Sequence, residues 1–328
     1  MSIRHAWPTL FGLALFFSPP LCAQPPGMPP PAPAPYDTAL FRTIRSGDAA
    51  ALQKMLDAGA DPNARQNDLS ALMAATLAGS PDQMRVLLDH GAKPNYADHD
   101  SITALWLAIP DTAKTILLLD HGADPALVSK EHYNVLAKAA NFAGATSLFQ
   151  LLVAKGANPK KAAPDNMLLY EAASTNDTAL VGLLLRYGFL PNDTIADGDY
   201  PINAAMNFRC FETLKMLVGN GANVNVGLPH SFFPNTRGIT PLMTAALSDD
   251  ESSFYYLLDH GADIKARSKS GYTALLYLQL CEADHPEMTK ALLARGADPS
   301  DKTRYGEDAL ILAAKKGNSA SVQLLKHQ

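Results

Sequence analysis

Residues 70–95 read SALMAATLAGSPDQMRVLLDHGAKPN. Leu72, Ala75 and Leu77 fit a short first helix rich in alanine. Gly79-Ser80-Pro81 interrupts it, and Pro81 suits the first position of a following helix, where no amide hydrogen is needed. Met84, Leu87 and Leu88 then give the i, i+3, i+4 stripe of a second helix. Gly91 ends that helix in the left-handed conformation that glycine adopts without steric cost. The spacing predicts helix, turn, helix and then an extended loop.

This stretch recurs. The glycine that closes it reappears at Gly59, Gly122, Gly156, Gly188, Gly221, Gly261 and Gly296, with spacings of 31–40 residues. About 21 residues before each glycine stands a motif of the type T-A/P-L. It reads TAL at 38–40, SAL at 70–72, TAL at 103–105, TPL at 240–242 and TAL at 273–275. Weaker copies are NVL at 134–136, MLL at 167–169, YPI at 200–202 and DAL at 308–310. A period near 33 with these motifs resembles the ankyrin repeat, over about residues 36–328. The resemblance implies an all-α solenoid of about nine helix-turn-helix units, numbered one to nine below, with β-turn finger loops. Unit three is shortened around Ile109-Pro110-Asp111, unit eight is lengthened around CEADHPEM, and unit five ends in GFLPN instead of GADPN.

LLDHGA occurs at 87–92, 118–123 and 257–262, each copy with an adjacent Asp and His. Such pairs serve in hydrolase triads and metal second shells. Units one, four, six and eight place DAG, AKG, GNG and ARG in the same slot, so the repeat does not need Asp-His chemistry. A histidine there caps the last carbonyls of its helix. Helices pack about 8–10 Å apart, too far for His90 and His121 to share one zinc at about 2 Å per ligand. The expectation is no catalytic residue, no metal and no cofactor. Cys210 and Cys281 fall two units apart, about 20 Å, beyond disulfide reach, and are expected to be free thiols.

The totals bound the class of protein. A chain of 328 residues with 47% hydrophobic and 18% charged residues has a globular balance. A net charge of −5 without basic runs does not suit nucleic acid. The N-terminus differs. Arg4, the apolar TLFGLALFF at 9–17 and the small Ala23 have the layout of a secretory signal peptide at 1–23. Residues 24–35 hold seven prolines and read as an extended linker before a repeat domain at 36–328. The expected location is the bacterial periplasm, and the expected state is a monomer without a membrane span after cleavage.

Members of the resembled family bind proteins through finger tips and the concave face of the first helices. Carried over by position, the residues before each motif become candidates: Tyr133, Asp199, Ile239, Tyr272 and Glu307. Near the first-helix ends lie Asn141-Phe142, Asn207-Phe208 and Lys315-Lys316, and in the last fingers Lys269, Arg304 and Tyr305. The long finger VGLPHSFFPNTR, 226–237, adds Phe232, Phe233 and Arg237. Aromatic residues and arginine dominate interface hot spots. The expected function is a periplasmic protein-interaction module, a scaffold or stress-protection accessory. The alternative is an immunity protein that neutralises a secreted toxin.

Overall fold

A computed structural model describes residues 38–163, 165–229 and 237–327. The signal peptide, the Pro-rich linker, Phe232 and Phe233 lie outside the described residues. The chain divides into Met1–Thr38 and Ala39–Gln328, and the second unit holds all the helices described. They come in pairs, one pair per repeat. Units one to three are α1 (Ala39–Ser46) with α2 (Ala49–Asp57), α3 (Ala71–Ala78) with α4 (Pro81–Asp89), and α5 (Ala104–Ala108) with α6 (Thr112–Asp120). Units four to six are α7 (Val135–Ala140) with α8 (Thr146–Ala154), α9 (Met167–Ser174) with α10 (Thr178–Arg186), and α11 (Pro201–Asn207) with α12 (Phe211–Gly219). Units seven to nine are α13 (Pro241–Leu247) with α14 (Glu251–Asp259), α15 (Ala274–Leu278) with α16 (Pro286–Ala294), and α17 (Ala309–Lys316) with α18 (Ser319–Lys326). The named strands are β1 (Arg65–Gln66) and β2 (Leu69–Ser70), an antiparallel pair that registers Arg65 against Ser70. The fold is an all-α repeat solenoid.

The motif that reveals the repeat is a helix cap. The side chains of Ser70, Thr103, Asn134, Thr240, Thr273 and Asp308 each accept a backbone N–H from the first turn of the helix they precede. Ser80 closes a capping box with Gln83, and Pro81 follows it in the first turn, as the sequence predicts. Gly91 has φ +88°. The first helices bury alanines: Ala75, Ala139, Ala172, Ala204 and Ala245 are fully covered, which lets neighbouring helices approach closely. The second helices bury larger side chains, among them Leu52, Met84, Leu87, Leu118, Phe149, Leu184, Leu214 and Phe254.

Two polar ladders tie successive units. In the first, an asparagine four residues after the closing glycine reaches the next unit. Asn63, Asn95, Asn192 and Asn225 donate from Nδ2 to the carbonyls of Gly91, Gly122, Gly221 and Gly261 at 2.8–3.1 Å. Their Oδ1 atoms accept the amides of Lys93, Asp124, Asn223 and Asp263 at 2.7–2.8 Å. Between units four and five, Lys160 Nζ takes over, donating to the Gly188 carbonyl at 2.7 Å and lying 4.0 Å over the Phe189 ring. The phenylalanine of GFLPN therefore has a local partner.

The second ladder explains LLDHGA. His90 and His121 each place Nδ1 at 2.8 Å from the carbonyl four residues back, which caps their helices as expected. Each Nε2 then faces the aspartate of the preceding unit: Asp57 at 3.1 Å and Asp89 at 3.3 Å. Lys155 and Arg295 fill the same slot and reach Asp120 at 2.9 Å and Asp259 at 2.8 Å. The Asp and His of one copy therefore serve two different boundaries. Cys210 and Cys281 are free and buried.

Since a carbonyl and a carboxylate are both acceptors, His90 satisfies both only when doubly protonated. The Val86 carbonyl and Asp57 accordingly raise its pKa, and His90 and Gln53 lower that of Asp57. A raised histidine stabilises fully below its unfolded value of about 6.5 and loses that contribution as pH rises through the folded value. The Asp57 contribution is lost as acid brings the pH down through its depressed folded value. Relative to the parent, His90→Ala should therefore lose more melting temperature at pH 5.5 than at pH 8.5, measured by circular dichroism; equal losses would refute the pairing. Leu87→Ala should cost about 2–5 kcal/mol in urea unfolding, as truncation of a fully buried leucine does.

Candidate partner-binding surface

Each finger descends from a second helix and leads into the next first helix, and most of them turn at a left-handed residue. The turn residues include Ser101, His132, Gly198, Gly238, Gly271 and Gly306, with φ between +61° and +81°. The residue after the turn folds beneath it, toward the helices. This position is corrected as a binding site in two fingers. Ile239 is 2% exposed. Tyr272 is 8% exposed and stacks on Tyr277 with ring centroids 4.9 Å apart, so both side chains are packing residues. Tyr133, Asp199 and Glu307 occupy the same position half-buried. Asp199 accepts the Tyr170 hydroxyl at 3.2 Å and Asn203 Nδ2 at 2.7 Å, while Glu307 pairs with Lys315.

The other candidates reach solvent. Phe142 follows α7 by two residues and Phe208 follows α11 directly, at the same register of units four and six, 36% and 41% exposed. Arg237 is exposed, its Nε donating to the Pro229 carbonyl at 3.0 Å. Arg304 and Tyr305 form an exposed pair, the guanidinium carbon 4.8 Å from the ring centroid and Nη2 donating to the hydroxyl at 2.6 Å. Backbone pairing brings together the tips that carry Arg237, Lys269 and Arg304. Phe142 and Phe208 are separated by unit five.

Sequence reasoning missed an ionisable group of the first helices. Lys138 on α7 donates from Nζ to the Trp106 carbonyl at 2.6 Å and stands 5.4 Å over the Trp106 ring. Burial pushes its ammonium down to about 8. Glu171 on α9 occupies the equivalent position one unit on, and burial pushes its carboxyl up to about 7. Tyr133 is raised by burial and then by Asp165, Glu131, Glu171 and Asp197, which places it among those acids. The signal was legible in part: four residues after the motif start, the other units have Arg42, Ala74, Leu107, Ala204, Thr244, Tyr277 and Leu312, and the one charged residue among these, Arg42, is exposed.

The chemistry near the CEADHPEM insertion does not assemble a nucleophile. His285 faces Asp249 at 3.1 Å. The Cys281 thiol donates to the Ala246 carbonyl at 3.1 Å and burial raises its pKa, whereas an attacking thiol needs a lowered one. Among the described residues, no group of three His, Cys, Asp or Glu side chains is suited to hold a metal, and no helix is long and apolar enough to cross a membrane.

Comparison with known proteins agrees with this geometry. The chain is 24% identical over 164 residues to the human transient receptor potential cation channel subfamily A member 1, covering 49% of this chain and 14% of the channel. It is 28% identical over 173 residues to an ankyrin repeat protein of fowlpox virus (strain NVSL), covering 51% of this chain and 49% of the viral protein. The chain thus spans less than half the length of either relative. The family model for ankyrin repeats matches residues 40–129 and 228–303, a little over half of the 328 residues. Capped helix pairs, left-handed closing glycines and matched segments at both ends of the stack identify the chain as a member of the ankyrin-repeat family, whose repeats are generic protein-interaction modules.

Proposed function

We propose that this chain is a protein-binding module of the bacterial periplasm that holds one partner protein on its finger loops and the face of its first helices, as a scaffold or a stress-protection accessory. The observation that carries the reading is the exposed pair Phe142 and Phe208, aromatic side chains at one register where unit five has Thr175. Neither ring is needed to close the core, since the helices they follow already bury Leu136, Ala139, Ile202 and Ala205. Exposed aromatic groups beside polar ones are what an interface centre uses. A polar residue precedes each ring in the chain, Asn141 before Phe142 and Asn207 before Phe208. Export rests on the N-terminal layout of Arg4, an apolar run and Ala23.

Two measurements test the two halves of this proposal. In a pull-down from periplasmic extract, the tagged full chain should retain a stoichiometric protein. Phe142→Ala with Phe208→Ala should lose it while the melting curve shifts by no more than about 1 kcal/mol in stability, the range of surface substitutions. Retention by the double variant would show that the rings do not bind. Tyr272→Ala, by contrast, should lower stability through loss of a buried ring, with partner capture at low temperature intact. N-terminal sequencing of the exported form should begin at Gln24; an intact Met1 would overturn export by cleavage.

A further inference from the structure

The finger tips differ in charge along the stack. Immediately before the left-handed turn residue stand Asp100 in unit three, Glu131 in unit four and Asp197 in unit six, with His99 beside Asp100 and the exposed Lys130 beside Glu131. One or two residues before the turn in units seven, eight and nine stand Arg237, Lys269 and Arg304, all exposed. The backbone fixes the spacing of the basic tips. The Lys269 amide donates to the Arg237 carbonyl at 2.9 Å, and the Arg304 amide to the Ser270 carbonyl at 3.1 Å. Residues bonded in this way lie about 5 Å apart, so Arg237 neighbours Lys269 directly, and Arg304 neighbours Ser270, the residue after Lys269. The acids of the same fingers are largely committed elsewhere. Asp301 pairs with Arg267, Glu307 pairs with Lys315, and Asp308 caps α17 through the Ile311 amide. Asp263 and Asp298 are held by the amides of Lys265 and Ser300, before the tips are reached.

We infer that the tips of units seven to nine dock a carboxylate-rich, extended segment of the partner protein. This rests on the protein-binding reading above and names the chemistry of the segment recognised. Three adjoining tips make a row that an extended segment, rising about 3.3 Å per residue, can follow. Arg237 and Arg304 place exposed cations at the two ends of the row, and a row of cations attracts carboxylates. Tyr305, 59% exposed, supplies an aromatic surface beside Arg304. The tip of unit six carries Asp197 with no base beside it, so it disfavours the same segment and helps select the end of the stack that the segment meets.

The probe is fluorescein-labelled deca-glutamate, titrated with the full chain and followed by anisotropy at low and at high salt. The expected result is saturable binding that salt weakens. It should fall about tenfold or more in Arg237→Glu/Lys269→Glu/Arg304→Glu and not fall in Asp100→Lys/Glu131→Lys/Asp197→Lys. Matching melting curves for the variants exclude unfolding as the cause. No binding by the parent, or equal binding by the basic-tip variant, overturns the inference. So does binding of inorganic polyphosphate without deca-glutamate, which would make the tips a phosphate site. Self-association in light scattering that the basic-tip variant abolishes would give the tips to a second copy, and also overturns it. A pull-down separates this inference from the broader reading. Partner capture kept by the basic-tip variant sinks the tip assignment alone, whereas no capture by the parent sinks the protein-binding reading.

Discussion

A pair of helices of five to nine residues cannot bury its own apolar faces, and every other feature of this structure follows from that constraint. The first helices answer it with alanine. Ala139, Ala172 and Ala204 are covered by the units before and after them, which a larger side chain would hold apart. The second helices answer it with leucine and phenylalanine, which fill the wider space behind. Short helices are weak on their own, so caps matter more than in a long helix. A serine, threonine, asparagine or aspartate before most of the first helices satisfies an amide that tertiary packing does not reach.

Stacking alone would let units slide, and the polar ladders oppose this. An asparagine amide that accepts one backbone group and donates to another across a boundary has a single good position. The ion pairs between Asp57 and His90, Asp89 and His121, Asp120 and Lys155, and Asp259 and Arg295 add a second fixed point at the helix ends. Their carboxylates are exposed, and pairs open to solvent contribute little stability. Their value is register: each cation has its anion in the unit before, and a slipped unit leaves both without partners.

The repeat was legible because its signals are local. A cap, a proline at the first turn and a left-handed glycine each act within a few residues, so one stretch such as 70–95 discloses the unit. The ladders were not legible as ladders. The Asp and His of LLDHGA are adjacent in the chain, and only the stack shows that each turns to a different neighbour. The exposure of the candidate residues was legible in part for the same reason. Phe142, Phe208, Arg237, Arg304 and Tyr305 reach solvent as position along the unit predicts. Tyr272 and Ile239 do not, because the residue after the turn folds under it, and a short irregular loop has no periodicity from which to read its inward side. Lys138 and Glu171 went unread because a charged residue on a short helix is usually solvated. Here the neighbouring first helix covers them and shifts both toward their neutral forms.

Both groups show how this architecture separates fold from recognition. Backbone groups, caps, alanines and asparagines hold the stack, and these recur from unit to unit. The side chains at the tips take little part in that work and vary freely, and the position four residues after each motif start varies in charge as well as in size. Asp197 and Arg237 stand at equivalent tips of successive units with opposite charge, although the backbone turns through a left-handed glycine in both, Gly198 and Gly238. Burying an ionisable group such as Lys138 or Glu171 costs stability, since desolvation disfavours its charged form. A stack that needs only alanine or leucine there gains nothing in packing from charge. The exceptions to the repeat, rather than the repeat itself, are therefore where recognition is to be sought.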